Sequence, residues 1–119
     1  MFSWCGMGRI YISAVVYFPE VFKEFRQKYP DIIKSHDALG DLCYQWGPLD
    51  KKTLRLIKVG IGVGQNSEGA VRSHARRALH EGITPEELRH AVLMGLTTVG
   101  FPQMIAAMKW IEEVIEKGE

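Results

Sequence analysis

Apolar residues recur along most of the chain at the three-to-four spacing of an amphipathic helix, and prolines and glycines interrupt them at a few sharp points. Phe18, Phe22, Phe25 and Tyr29 make a first stripe, with Pro19 suited to a first turn and Pro30 ending the segment. Ile32, Ile33, His36, Leu39, Leu42, Cys43 and Trp46 make a second, which stops at Gly47-Pro48. Asp50 reads as the N-cap of a third helix. Its Leu54, Leu56, Ile57, Val59, Ile61 and Val63 are apolar on more than one side, the pattern of a helix central to a bundle. Beyond the glycines from Gly60 to Gly69, Val71, His74, Ala75, Ala78 and Leu79 mark a fourth helix. It ends at Gly82, a residue type that accepts the left-handed conformation after a helix.

Thr84-Pro85-Glu86-Glu87 is the strongest local signal. Thr84 caps, Pro85 presets the first helical φ, and Glu87 reaches back to the Thr84 N–H as a capping box. The fifth helix then carries Leu88, Ala91, Val92, Leu96 and Val99 to a break at Gly100. A sixth starts near Pro102 with Ile105, Met108, Trp110 or Ile111, and Val114 or Ile115. The pattern predicts an all-α fold of five to six helices, with extended structure finding a place only in Ile10 to Tyr17. No repeat, low-complexity tract or linker divides the chain, so a single domain over residues 1–119 is expected, with 1–8 as a poorly specified lead-in.

Composition narrows the classes without changing that picture. With 119 residues, 46% of them hydrophobic and 24% charged, the chain can bury a core without disulfides or a structural metal. A net charge of +1 offers no broad basic face, so no nucleic-acid partner is expected. Ile10 to Phe18 is apolar apart from Ser13, but too short to span a bilayer and without a small-residue cleavage site after it, so no membrane partner is expected either. Cys5 and Cys43 are too far apart for a CxxC pair and too few for a disulfide framework, which fits a reducing, cytoplasmic setting. Phe18, Phe22, Phe25, Trp46, Phe101, Met104, Met108 and Trp110 exceed what one layer of six helices readily buries. Self-association into a homo-oligomer is therefore expected.

Candidate chemistry concentrates on the third and fourth helices. Gly60-Ile61-Gly62-Val63-Gly64 is not GxGxxG, and no Lys-Ser or Lys-Thr follows it, so the glycines read as a place where helices approach closely. His74 sits among Val71, Ala75 and Ala78: either a core histidine satisfied by a hydrogen bond, or an imidazole in a small pocket with Glu68 as its carboxylate. Six residues is not a same-face spacing unless Glu68 lies at the helix start. Arg72, Arg76 and Arg77, with Arg55 and Lys58, either present cations to an acidic substrate or form a solvated face paired with Glu81, Glu86 or Glu87. His36, Asp37 and Asp41 have metal-binding types without metal-binding spacing, so no metal is expected.

Leu49-Asp50-Lys51-Lys52-Thr53, Ser67-Glu68-Gly69-Ala70-Val71-Arg72-Ser73-His74, Ala78-Leu79-His80-Glu81-Gly82-Ile83-Thr84-Pro85-Glu86-Glu87-Leu88 and Gly100-Phe101-Pro102 resemble the carboxymuconolactone decarboxylase family, which also holds the alkylhydroperoxidase D proteins. The likeness covers about residues 32 to 115. It implies an alkylhydroperoxidase D-like helical bundle assembled as dimers, trimers or hexamers. In the peroxidase branch a Cys-x-x-Cys pair and an upstream Glu serve the family His. Those positions here hold Ser67, Ala70 and Arg55, and only His74 survives. Neither Ser nor Ala can form or resolve a sulfenic acid, which argues against a cysteine peroxidase.

The decarboxylase branch needs no cysteine, and Glu68 and His74 have the spacing of its Glu and His. That branch implies a lactone acid losing carbon dioxide, with His74 and Glu68 in acid/base roles. A cation for the lactone oxygen would come from Arg72 or Arg55, with Ser67 beside them in substrate binding. No cofactor is implied, and the partner is a small carboxylate or lactone. The rival expectation is a non-catalytic helical scaffold or ligand-binding oligomer, since a fold does not carry an activity. The sign of any His74 pKa shift stays open, because a carboxylate neighbour raises it and an arginine lowers it.

Overall fold

Six helices occupy residues 19–117, which are the residues the computed structural model describes: α1 (Glu20–Lys28), α2 (Pro30–Gln45), α3 (Lys51–Gly64), α4 (Glu68–His80), α5 (Pro85–Leu93) and α6 (Phe101–Lys117). Among the described residues there is no strand. The extended segment expected at 10–17 and the lead-in at 1–8 lie outside them. The chain divides into two compact units, one ending at Pro48 and holding α1 and α2, the other beginning at Leu49 and holding α3 to α6. No helix among the described residues is long and apolar enough to cross a membrane.

In the first unit, the Pro19 carbonyl accepts the Phe22 and Lys23 N–H groups at 3.1 and 3.3 Å and so starts α1. Pro30 does more than end that helix: it is a first-turn residue of α2, where its missing N–H costs nothing. Phe22 and Ile33 are buried, and Arg26 joins the two helices through Asp37 at 3.1 Å. The remaining apolar stripe of α2 stands exposed at Ile32, Leu39 and Leu42, and the C-cap residue Trp46 is 81% exposed.

The second unit starts at Asp50, whose side chain accepts the Thr53 N–H at 2.8 Å and caps α3. One face of α3 is buried, at Arg55, Val59, Gly62 and Val63, while Ile57 and Ile61 are exposed. The more widely buried helix is α4, which packs against both α3 and α6 and buries Val71, Ser73, His74, Ala75, Arg77 and Ala78. Its alanines let two neighbours come close at once. Of the glycines in α3, only Gly62 is needed for close approach. A Cβ there would lie 3.2 Å from Val71 Cγ2 and 3.3 Å from Val71 N, whereas Gly60 and Gly64 face open space.

Gly82 at φ +94° turns the chain out of α4, and the Ile83 N–H returns to the Ala78 carbonyl at 2.9 Å. The capping box of α5 is complete: Thr84 Oγ1 accepts from the Glu87 N–H at 3.1 Å, and Glu87 accepts from the Thr84 N–H at 2.9 Å. Thr84→Ala is expected to lower stability by about 1 kcal/mol, measured by urea unfolding, because one first-turn donor loses its acceptor.

The fifth helix is shorter than its apolar spacing predicts. It ends at Leu93, and residues 94–99 form turns in which Val99 and Gly100 both donate to the Gly95 carbonyl, at 2.8 and 3.2 Å. Gly95 is buried where a Cβ would meet Val63 Cγ1 at 3.1 Å, so packing against α3 decides the path there. In α6 the buried positions are Met104, Ala107, Ile111 and Val114, and Ile105 is exposed. The core joins these residues to Val59, Val63, Val71, Ala75, Ala78, Ile83, Leu88 and Val92.

Candidate functional site

α3 and α4 meet around three buried cationic or imidazole side chains: Arg55 and Arg77 are each 1% exposed and His74 is 3% exposed. Arg55 reaches both Glu81 and His74. Its Nε and Nη2 donate to Glu81 Oε1 and Oε2 at 3.1 and 2.9 Å, a two-point grip on the carboxylate. Its Nη1 lies 2.8 Å from His74 Nδ1. A guanidinium has only donors, so Nδ1 must be the acceptor and the ring proton sits on Nε2.

Local structure explains why these groups meet. His74 and Glu81 are seven residues apart, two helical turns, so both fall on the same side of α4. Glu81 is the C-cap, its N–H held by the Arg77 and Ala78 carbonyls at 2.9 and 3.1 Å, and its side chain remains partly exposed at 26%. Arg55 projects from the second turn of α3, whose start Asp50 fixes.

Burial, followed by the positive charges of Arg55, Arg77 and Lys58, pushes the His74 pKa down to about 2. The imidazole is therefore neutral throughout the physiological range. Its ordinary value is 6.5, so below that pH the unfolded chain binds a proton that the folded chain refuses. Stability is full above pH 6.5 and is lost as the pH falls towards the folded value. Urea midpoints measured from about pH 7 down to about pH 5 should fall, and should fall less in His74→Gln, with about 2 kcal/mol as the ceiling of the effect over that range.

The other site residues read from the sequence are engaged elsewhere. Glu68, the first residue of α4, is 54% exposed and accepts from Arg72 Nε at 2.9 Å. Arg72 also donates through Nη2 to Glu113 of α6. Ser67 is the N-cap of α4, its Oγ accepting the Ala70 N–H at 3.3 Å. The structure thus brings Arg55 to His74, and adds Arg77 and Glu81, which sequence reasoning left open between a set of substrate-facing cations and a solvated face paired with glutamates. The seven-residue step from His74 to Glu81 and the three-residue step to Arg77 were the available signals. Among the described residues, no group of three or more His, Cys, Asp or Glu side chains is placed to hold a metal ion.

The sequence profile of the carboxymuconolactone decarboxylase family matches residues 30–113, through both units of the chain. The chain belongs to this family. It is 35% identical to an uncharacterized protein of Methanocaldococcus jannaschii, over 83% of this chain and 96% of that one. It is 36% identical to the nitrosuccinic acid decarboxylase of Metarhizium robertsii, over 60% of this chain and 52% of that one. Against the 4-carboxymuconolactone decarboxylase of Acinetobacter baylyi it is 29% identical, over 82% and 71%. A crystal structure of a carboxymuconolactone decarboxylase family protein from Legionella pneumophila, in its apo form, superimposes with a TM-score of 0.71 at 25% identity, covering 83% of this chain and 88% of that one. The resemblance read from the sequence sets Arg55 at the relay-Glu position of the peroxidase branch, and in the structure Arg55 contacts His74.

Proposed function

We propose that this protein decarboxylates a small carboxylic acid whose departing carboxylate is attached to a carbon bearing, or conjugated with, an electron-withdrawing oxygen group. Two relatives support that class by name, one acting on a nitro-substituted dicarboxylic acid and one on a carboxylated lactone. In such a step the bond to the carboxylate carbon breaks, carbon dioxide leaves, and the electron pair delocalises onto an oxygen of the neighbouring group. A proton from solvent then adds at carbon. Catalysis requires donors and positive charge where that oxygen becomes anionic.

The observation that carries the reading is the Arg55–His74 hydrogen bond, which makes Nε2–H the donor of an imidazole that stays neutral. At a pKa of about 2, His74 is a poor base, so its role is to donate a hydrogen bond to the developing oxyanion. Burial lowers that pKa most, the positive charges of Arg55, Arg77 and Lys58 lower it further, and those charges favour an anionic substrate. Glu68 and Arg72 have no part in this version of the site. Ser67 and Ala70 leave no thiol pair for peroxide chemistry on this helix.

The near-complete burial of His74 favours a second reading, a helical scaffold whose imidazole is structural. A mass-spectrometric screen of small carboxylic acids and lactones separates the readings: conversion of an acid supports the enzyme, binding without conversion supports a non-catalytic ligand-binding protein, and a blank screen supports the scaffold. Self-association belongs to either reading. Trp46, Met94, Phe101 and Ile105 are exposed apolar side chains of the kind that subunit contacts cover. Sedimentation equilibrium at micromolar concentration should give a mass above that of one chain, and a clean monomer would remove the oligomer from the account.

A further inference from the structure

We propose that Glu81 is a positioning residue that sets the hydrogen-bonding state of His74 by gripping Arg55. The inference rests on the reading above only in giving the His74 Nε2–H a task; the geometry itself requires no substrate.

Arg55 has a long, flexible stem, and the bond from Nη1 to a neutral ring nitrogen does not by itself fix its plane. Glu81 removes that freedom by accepting from Nε and Nη2 together, at 3.1 and 2.9 Å. With one edge of the guanidinium held, Nη1 is left pointing at His74 Nδ1 at 2.8 Å. The ring can then carry its proton only on Nε2. Glu81 does not need to touch the ring to decide which nitrogen donates. Its position at the C-cap of α4 suits the task, because the backbone holding it is the end of the helix that carries His74. The carboxylate also offsets the charge of Arg55 at the rim of the buried cluster, where Glu81 is 26% exposed and Arg55 1%.

A merely structural ion pair would contribute to stability and leave the imidazole alone, so the test reads the ring. Proteins labelled with 15N in histidine are compared at neutral pH, without substrate, with the His74 signals identified by their loss in His74→Gln. The wild-type protein should show His74 as one neutral tautomer, protonated on Nε2. Glu81→Gln cannot reproduce the two-acceptor grip, and should give a mixture in which the Nδ1–H form is populated. Glu81→Asp, which keeps both acceptor oxygens, should restore most of the single tautomer. A wild-type ring protonated on Nδ1, or a folded Glu81→Gln protein with an unchanged His74 spectrum, would overturn the proposal. Should Glu81→Gln fail to fold, Arg55→Lys takes its place. A lysine ammonium cannot span both partners as the fork does, so an unchanged single tautomer there would overturn it equally. Because no substrate is present, a failure of the decarboxylase reading leaves this result intact, and the reverse holds.

Discussion

His74→Phe is expected to lower decarboxylation by roughly 100- to 1,000-fold while leaving the helical fold in place, the usual cost of removing one donor from a developing oxyanion. Phe keeps the bulk of the ring but has neither the Nε2 donor nor the Nδ1 acceptor. His74→Gln then tells hydrogen bonding from proton transfer. A glutamine amide oxygen can accept from Arg55 Nη1 while its amide N–H reaches toward the space of Nε2, so part of the lost rate should return. A proton-shuttling histidine has no such substitute, and Gln would be as inactive as Phe. Steady-state rates of the three proteins, with circular dichroism to check folding, decide between these roles.

Leu88→Ala should produce the largest loss of stability, about 2–5 kcal/mol, with the thermal midpoint lower by at least about 10 °C. Leu88 is fully buried on α5, within the core shared by α3, α4, α5 and α6. Truncating it removes apolar area and leaves a cavity that rigid helix packing only partly closes. Ile61→Ala on the exposed side of α3 should cost under about 1 kcal/mol in the isolated chain. A loss for Ile61→Ala that grows with protein concentration would instead mark that face as a subunit contact, because association stabilises by mass action.

Helix order, the Asp50 and Thr84 caps and the turn at Gly82 were legible in the sequence, because each depends on a few adjacent residues with a strong local preference. Ends and faces set by packing were less so. Leu96 and Val99 have helical spacing, yet Gly95 pressed against Val63 diverts the chain before them. The Glu68 and His74 pairing looked natural by family spacing, but Glu68 has Arg72 one turn along its own helix and takes that nearer partner. The Arg55–His74 contact joins residues nineteen positions apart on different helices, which periodicity along one helix cannot reveal. Only the family carry-over put those two positions side by side, and it took the structure to show that Glu81 completes the set. The sign of the His74 pKa shift waited on burial, which outweighs every neighbouring charge.

Carbon dioxide release from nitrosuccinic acid, 4-carboxymuconolactone and a panel of related small acids, compared between the wild-type and His74→Phe proteins, tests the central claim most directly. Release from at least one acid, falling by roughly 100-fold or more in the variant, is what a neutral imidazole donor held by Arg55 predicts. No release from any of them, or equal release from both proteins, would contradict it.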